Sequence, residues 1–111
     1  MIVALTSCSA GPAEAPDLPQ SVPPSWTRKA LTRTSPDCWN AEYAGGGSAV
    51  ASICHYSTEA VAFDAVQRSR AEANTVKFQE GKYFVLIKWT TASQTEITAL
   101  VRAIQKSLQA R

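Results

Sequence analysis

Three consecutive glycines, centred on Gly46, constrain the fold of this chain more than any other feature. They divide the segment 38–56, in which apolar and polar residues alternate as they do in half-buried β-strands. Because glycine readily adopts the positive φ values of tight turns, we predict a hairpin centred on Gly46. Residues equally distant from that centre are then opposed, which places Cys38 opposite Cys54.

This opposition predicts a disulfide bond between Cys38 and Cys54. Opposed Cα atoms of an antiparallel pair lie about 4.5 to 5.5 Å apart, which a disulfide can span. Disulfides are typical of oxidising compartments, so the bond would agree with export. Two free thiols in a reducing compartment are the main alternative. A metal site is less favoured, because the cysteines are not a Cys-x-x-Cys pair and His55, the one histidine, falls on the other sheet face.

Hydrophobic periodicity predicts the remaining elements. A capping box followed by five apolar residues at helical spacing predicts a helix over 94–109. A thinner apolar stripe, which includes Phe63, predicts a second helix over 57–73. The alternation on both sides of Glu80-Gly81 predicts a hairpin over 75–91, and a further strand is expected within 26–34.

The order hairpin, helix, hairpin, helix predicts one α+β domain over residues 26–111. We expect a two-layer arrangement in which a four- to five-stranded antiparallel sheet carries both helices on one face. Residues 9–25 contain five of the six prolines and no aromatic side chain. Such a composition buries little surface, so we expect a disordered tether rich in Pro, Ala and Ser.

The first residues resemble the end of a bacterial lipoprotein signal peptide, through the sequence Leu5-Thr6-Ser7-Cys8. The resemblance implies that residues 1–8 are a signal remnant and that Cys8 carries lipid, with palmitate among the usual acyl chains. Several acyl chains together anchor a protein stably to a membrane. The signal is truncated, since seven residues precede Cys8 and none is basic. An unrelated cysteine in an unstructured N-terminus is the alternative.

The segment from Cys38 through Leu108 resembles a family of exported bacterial proteins of unknown function. The resemblance is carried by Ala41-Glu42-Tyr43, by Ala62-Phe63, by the hairpin sequence over 78–83 and by the closing helix. It implies an exported α+β domain. It implies no activity, cofactor or catalytic residue.

The sequence contains none of the common catalytic or nucleotide-binding motifs, so we predict no catalytic residue, metal ligand or cofactor. The basic residues are spread over several elements, which argues against nucleic-acid binding. We therefore expect a lipid-anchored domain of the bacterial cell envelope that acts by binding, or as an accessory subunit of an envelope protein. A soluble secreted module that binds a small ligand is the alternative, and an enzyme is the third possibility.

Overall fold

The computed structural model describes residues 15–23, 25–70 and 72–109, which form six strands and two helices. In chain order the elements are β1 (Ser21–Val22), β2 (Trp26–Ser35), β3 (Cys38–Ala44), β4 (Ser48–His55), α1 (Glu59–Arg68), β5 (Thr75–Glu80), β6 (Tyr83–Trp89) and α2 (Gln94–Gln109). The strands form one antiparallel sheet in the order β1-β2-β3-β4-β6-β5. The predicted α+β class is confirmed, and the sheet has six strands where four or five were expected.

The hairpin of β3 and β4 has the predicted register. Cys38 pairs with Cys54 and Tyr43 pairs with Ala49. The two cysteines form the predicted disulfide bond, with their Cα atoms 4.1 Å apart. A symmetric glycine loop was therefore sufficient to place these two side chains on one face of the sheet.

The three glycines do more than close this hairpin. Gly45 and Gly47 have φ values of +119° and +132°, which L side chains rarely adopt. A Cβ atom on Gly47 would lie 1.4 Å from the carbonyl oxygen of Thr91, and one on Gly45 would lie 1.9 Å from that of Ser25. The loop therefore packs directly against the main chain that precedes β2 and the main chain that precedes α2.

The hairpin of β5 and β6 turns at Gly81-Lys82, one residue later than predicted. Gly81 has a φ of +59° at the first turn position, as a two-residue hairpin loop requires. Phe78 accordingly pairs with Val85 instead of Tyr83. Because the register differs by two residues, every side chain keeps its predicted face.

The concave face of the sheet carries the core, and α2 packs on it. Four residues of α2 at helical spacing are buried there: Ile97, Leu100, Ile104 and Leu108. The helix contacts both end strands, β1 and β5, so the sheet curls around it. The predicted capping box is present, since the Ser93 N–H donates to the Glu96 carboxylate at 3.1 Å and the Glu96 N–H donates to the Ser93 hydroxyl at 3.2 Å. The Trp26 indole N–H donates to the Glu96 carbonyl oxygen at 2.8 Å, which ties β2 to the first turn of α2.

Helix α1 packs on the opposite face, which corrects the expectation that both helices share one face. Lys77 and Gln79 alternate along β5 with Phe78, whose side chain packs against the core beneath α2. The Lys77 ammonium donates to the Ser69 carbonyl oxygen just after α1, and the Gln79 amide donates to that of Glu59 at 2.8 Å. Strand β6 is apolar on both faces because each face is covered by a helix.

The first helix is also shorter than predicted. It begins after Thr58, whose hydroxyl accepts the Val61 N–H at 3.1 Å, and it ends at Arg68. Ala62 is fully buried, but Phe63, which was predicted to pack, is 54% exposed. Small residues at the contact let α1 approach the sheet closely, so the larger side chain lies outside the interface.

The part of the predicted tether that the structure describes, residues 15–23 and 25, belongs to the folded domain. Leu18 and Val22 are buried at 2% and 4% exposure, and β1 pairs with β2. The Tyr43 hydroxyl donates to the Pro19 carbonyl oxygen at 2.7 Å. Two apolar side chains and paired main-chain groups thus order a proline-rich segment, which corrects the expected boundary at Trp26. Cys8 and the start of the predicted tether lie outside the described residues.

Candidate functional site

A groove of about 610 Å³ lies on the concave side of the domain, between α2 and the hairpin of β5 and β6. The strand side of the groove is formed by Val76 and Trp89. Strand β6 leads to Trp89, the chain reverses through 90–93, and α2 returns along the sheet. Trp89 therefore lies beside the beginning of α2, whereas Tyr83 and Leu108 meet at the other end of the domain.

Two rows of side chains from α2 form the helical side of the groove. Ile97 and Val101, one turn apart, continue the apolar surface of Val76 and Trp89. A polar row runs beside them: Gln94, Thr98, Arg102 and Gln105. At 1.5 Å of rise per residue, the helical side from Gln94 to Gln105 is about 16 Å long. The groove is thus an apolar channel with a hydrogen-bonding rim.

Among the described residues that line this groove, Arg102 is the only charged one. Its side chain is exposed and is not part of the ion pairs Arg68–Asp64, at 2.9 Å, or Lys88–Glu72, at 3.7 Å. A second, shallower depression of about 460 Å³ continues from the same polar row and also includes Arg102. The guanidinium therefore lies at the rim with its donors available.

A third depression of about 370 Å³ surrounds His55 at the other end of the sheet. The His55 ring packs edge-on against Tyr83, with ring centroids 5.1 Å apart. Its main-chain N–H donates to the Asp37 carbonyl oxygen at 2.8 Å. Nearby, Glu80 accepts a hydrogen bond from Gln109 at 3.4 Å. These contacts are those of side chains packed at a strand end.

Two groups have perturbed pKa values, and both lie in the framework of the fold. Burial raises the pKa of Tyr43 to about 12, and the positive charge of Arg28 partly opposes this shift. The Ser93 main-chain N–H lowers the pKa of Glu96 by stabilising its carboxylate in the capping box. Neither group lines the groove.

The exposed apolar side chains of α1 do not form a second site of comparable definition. Val61 and Phe63 are 45% and 54% exposed. They flank the buried Ala62, and at about 100° per residue they project from nearly opposite sides of the helix. Two separated side chains do not make the continuous patch that marks an interface.

The predicted site residues have different outcomes. Cys38 and Cys54 are joined on the convex face, away from the groove. Cys8 is not among the described residues. The sequence did not locate the groove, because residue type alone does not distinguish Trp89 from Trp26 and Trp39, which are buried, and core positions are expected for the tryptophans of so small a domain. The position of Trp89 at a strand end, just before a helix with a polar row, was the signal that could have distinguished it.

Two further findings concern metals and membranes. Within residues 15–23, 25–70 and 72–109, no three His, Cys, Asp or Glu side chains are grouped so that they could hold a metal ion. Neither described helix has a segment both long and apolar enough to cross a membrane.

No known protein family matches this chain, and no curated protein or solved structure is significantly similar to it.

Proposed function

We propose that this chain is an exported domain that binds a small amphipathic ligand in the groove between α2 and β5. The observation that carries the proposal is the meeting of Trp89 with the Ile97 and Val101 row in one concave, largely apolar channel. Ligand pockets have this composition, in which apolar walls supply affinity and a few polar groups orient the ligand. The volume of about 610 Å³ is in the range of small-molecule sites.

The lining favours binding over catalysis. Among the described residues that line the groove there is one arginine, and there is no histidine, cysteine, serine or carboxylate. The hydroxyl of Thr98 therefore has no general base of the common kinds among these residues to activate it as a nucleophile. A role as an accessory subunit has weaker support, because the exposed apolar residues of α1 are separated from each other.

The proposal includes attachment to the bacterial cell envelope through Cys8. The sequence Leu5-Thr6-Ser7-Cys8 and the Cys38–Cys54 disulfide both support an exported protein. Since Pro16 is the first buried residue in the part of the chain that the structure describes, residues 9–15 would connect the lipid to the domain. Seven extended residues reach at most about 25 Å, so the domain would remain close to the membrane surface.

Tryptophan fluorescence tests the binding proposal directly, because Trp26 and Trp39 are buried and Trp89 is the one that lines the groove. Titration of the full chain, made as a Cys8→Ala variant to keep it free of lipid, with decanoate or 1-decanol should shift the emission saturably. Trp89→Phe should abolish the shift while calorimetry still detects binding.

A matched pair of variants locates the site. Val101→Gln places an amide on the groove wall and should weaken binding. Val50→Gln makes the same change at a half-buried position on the opposite sheet face and should leave the affinity unchanged. If neither decanoate nor decanol binds saturably, or if both variants bind like the parent chain, the groove is not a ligand site.

The anchoring proposal has its own test. Expressed with its native leader in a bacterial host, the wild-type protein should fractionate with membranes, and Cys8→Ala should not. Ser9→Ala, which changes the neighbouring residue and leaves the lipobox intact, is the control. An intact-mass measurement that finds Cys8 unmodified would exclude the lipoprotein assignment.

A further inference from the structure

We infer that the ligand of this groove is a single-chain amphiphile with an anionic head group, and that Arg102 binds the head while the chain lies toward Trp89. The inference rests on the proposed function, since it names the class of ligand for the same site. It is carried by the distribution of charge and polarity along the groove.

Polar side chains border the groove from Gln94 to Gln105, and Arg102, the one charged residue among the described lining residues, lies in the second half of this row. Trp89 and Ile97 lie near the beginning of α2, and Val76 and Val101 continue the apolar wall. Arg102 lies about 7.5 Å further along the helix axis than Ile97, at 1.5 Å per residue. An extended chain that lies on the apolar wall therefore brings its head group to the arginine.

Arg102 has neighbours that suit an anion. Thr98 and Gln105 are four and three residues away on the helix, so they lie on the same side as Arg102. A hydroxyl and a carboxamide can both donate hydrogen bonds, and the guanidinium supplies five N–H donors in a planar fork. In the part of the chain that the structure describes, no acidic residue lines the groove to compete for these donors.

The beginning of α2 is the other place where an anion could bind, because helix N-termini attract negative charge. Here that position is already occupied, since the Glu96 carboxylate accepts the Ser93 N–H and completes the capping box. A second negative charge at that end would be repelled by Glu96. The head group is thereby directed to Arg102.

The size of the effect follows from the exposure of the pair. An exposed ion pair contributes up to about 1 kcal/mol, which is about a fivefold change in affinity, and a bidentate arginine pair exceeds this value. Arg102→Gln should therefore weaken decanoate binding about five- to tenfold and leave 1-decanol binding within about twofold. Arg102→Lys keeps the charge and loses the planar arrangement of donors, so its affinity for decanoate should lie between those of the parent chain and Arg102→Gln.

The experiment measures dissociation constants for four probes with one chain and different heads: decanoate, decyl sulfate, 1-decanol and decyltrimethylammonium. The matched control is Lys106→Gln, which makes the same charge change one turn further along α2 at an exposed position outside the groove. Both anionic probes should lose affinity in Arg102→Gln and in high salt. Lys106→Gln should bind them like the parent chain.

The outcomes separate this inference from the function on which it rests. If all four probes bind with affinities that Arg102→Gln does not change, the groove binds ligands, but the inference that the head group is anionic is wrong. The same conclusion follows if decyltrimethylammonium binds best. If no probe binds the parent chain, the proposed function fails. Thermal midpoints of both variants should match the parent, because both side chains are exposed.

Discussion

Replacement of Gly47 by alanine should destabilise this domain far more than the same replacement at Gly81. Both glycines have positive φ values, +132° and +59°, where the Cβ of an alanine crowds the neighbouring carbonyl oxygen and costs about 1 to 2 kcal/mol or more. The surroundings differ, because a Cβ on Gly81 meets nothing within 4 Å, whereas one on Gly47 would lie 1.4 Å from the Thr91 carbonyl oxygen.

The steric overlap at Gly47 involves main chain that is held on both sides. The Thr90 N–H donates to the Ser48 carbonyl oxygen at 3.0 Å, and α2 begins shortly afterwards. Relief would therefore move the connection that positions the core helix. Overpacking of this kind costs about 1 to 3 kcal/mol, so Gly47→Ala should be less stable than Gly81→Ala by that amount.

Urea unfolding of the oxidised protein, followed by tryptophan fluorescence, measures both variants on one scale. Gly46→Ala is informative beside them, because its φ is not positive and its Cβ would lie 2.9 Å from the end of the flexible Glu96 side chain. Gly46→Ala should lower the free energy of unfolding by less than Gly47→Ala does. Equal midpoints and slopes for Gly47→Ala and Gly81→Ala would refute the close approach of the glycine loop to Thr91.

Three further predictions concern the disulfide, the N-terminal segment and alkaline pH. Combined Cys38→Ala and Cys54→Ala substitutions should lower the free energy of unfolding by about 3 kcal/mol, and reductant should bring the wild type, but not the double variant, to that level. Leu18→Ala should cost about 2 to 4 kcal/mol in urea unfolding, where a residue in a free tether would cost almost nothing. The pKa of Tyr43 is 10.0 when unfolded and about 12 when folded, so its contribution to stability should be constant below pH 10 and fall by about 1.4 kcal/mol per pH unit between the two values. Tyr43→Phe should show a smaller alkaline loss, and an identical loss would mean that other groups cause it.

Features that depend on neighbours in the chain could be predicted from the sequence. Gly46 and its flanking strands determined the opposition of Cys38 and Cys54, because register in a hairpin follows from the position of the loop. The helix over 94–109 followed from a capping box and a stripe of five apolar residues. These interactions span few residues, and their geometry is set by the periods of helix and strand.

Features that depend on how distant elements pack against each other could not be predicted from the sequence. Leu18 and Val22 belong to a segment whose composition is typical of a linker, and they are buried because the curled sheet and α2 cover them. The face on which α1 packs is also a tertiary feature. Lys77 and Gln79 of β5 contact the main chain at the two ends of α1, on the sheet face opposite the core.

The candidate site belongs to this second group. Trp89 and Arg102 are separated by twelve residues and lie on different elements, and no sequence period relates them. They line one groove because the chain reverses after β6 and returns along the sheet as α2. By itself, the sequence determined the register of one hairpin, the C-terminal helix and the disulfide, since local patterns specify them. The tertiary structure decided that Leu18 and Val22 join the core and that a groove forms beside α2, since burial depends on which surfaces meet.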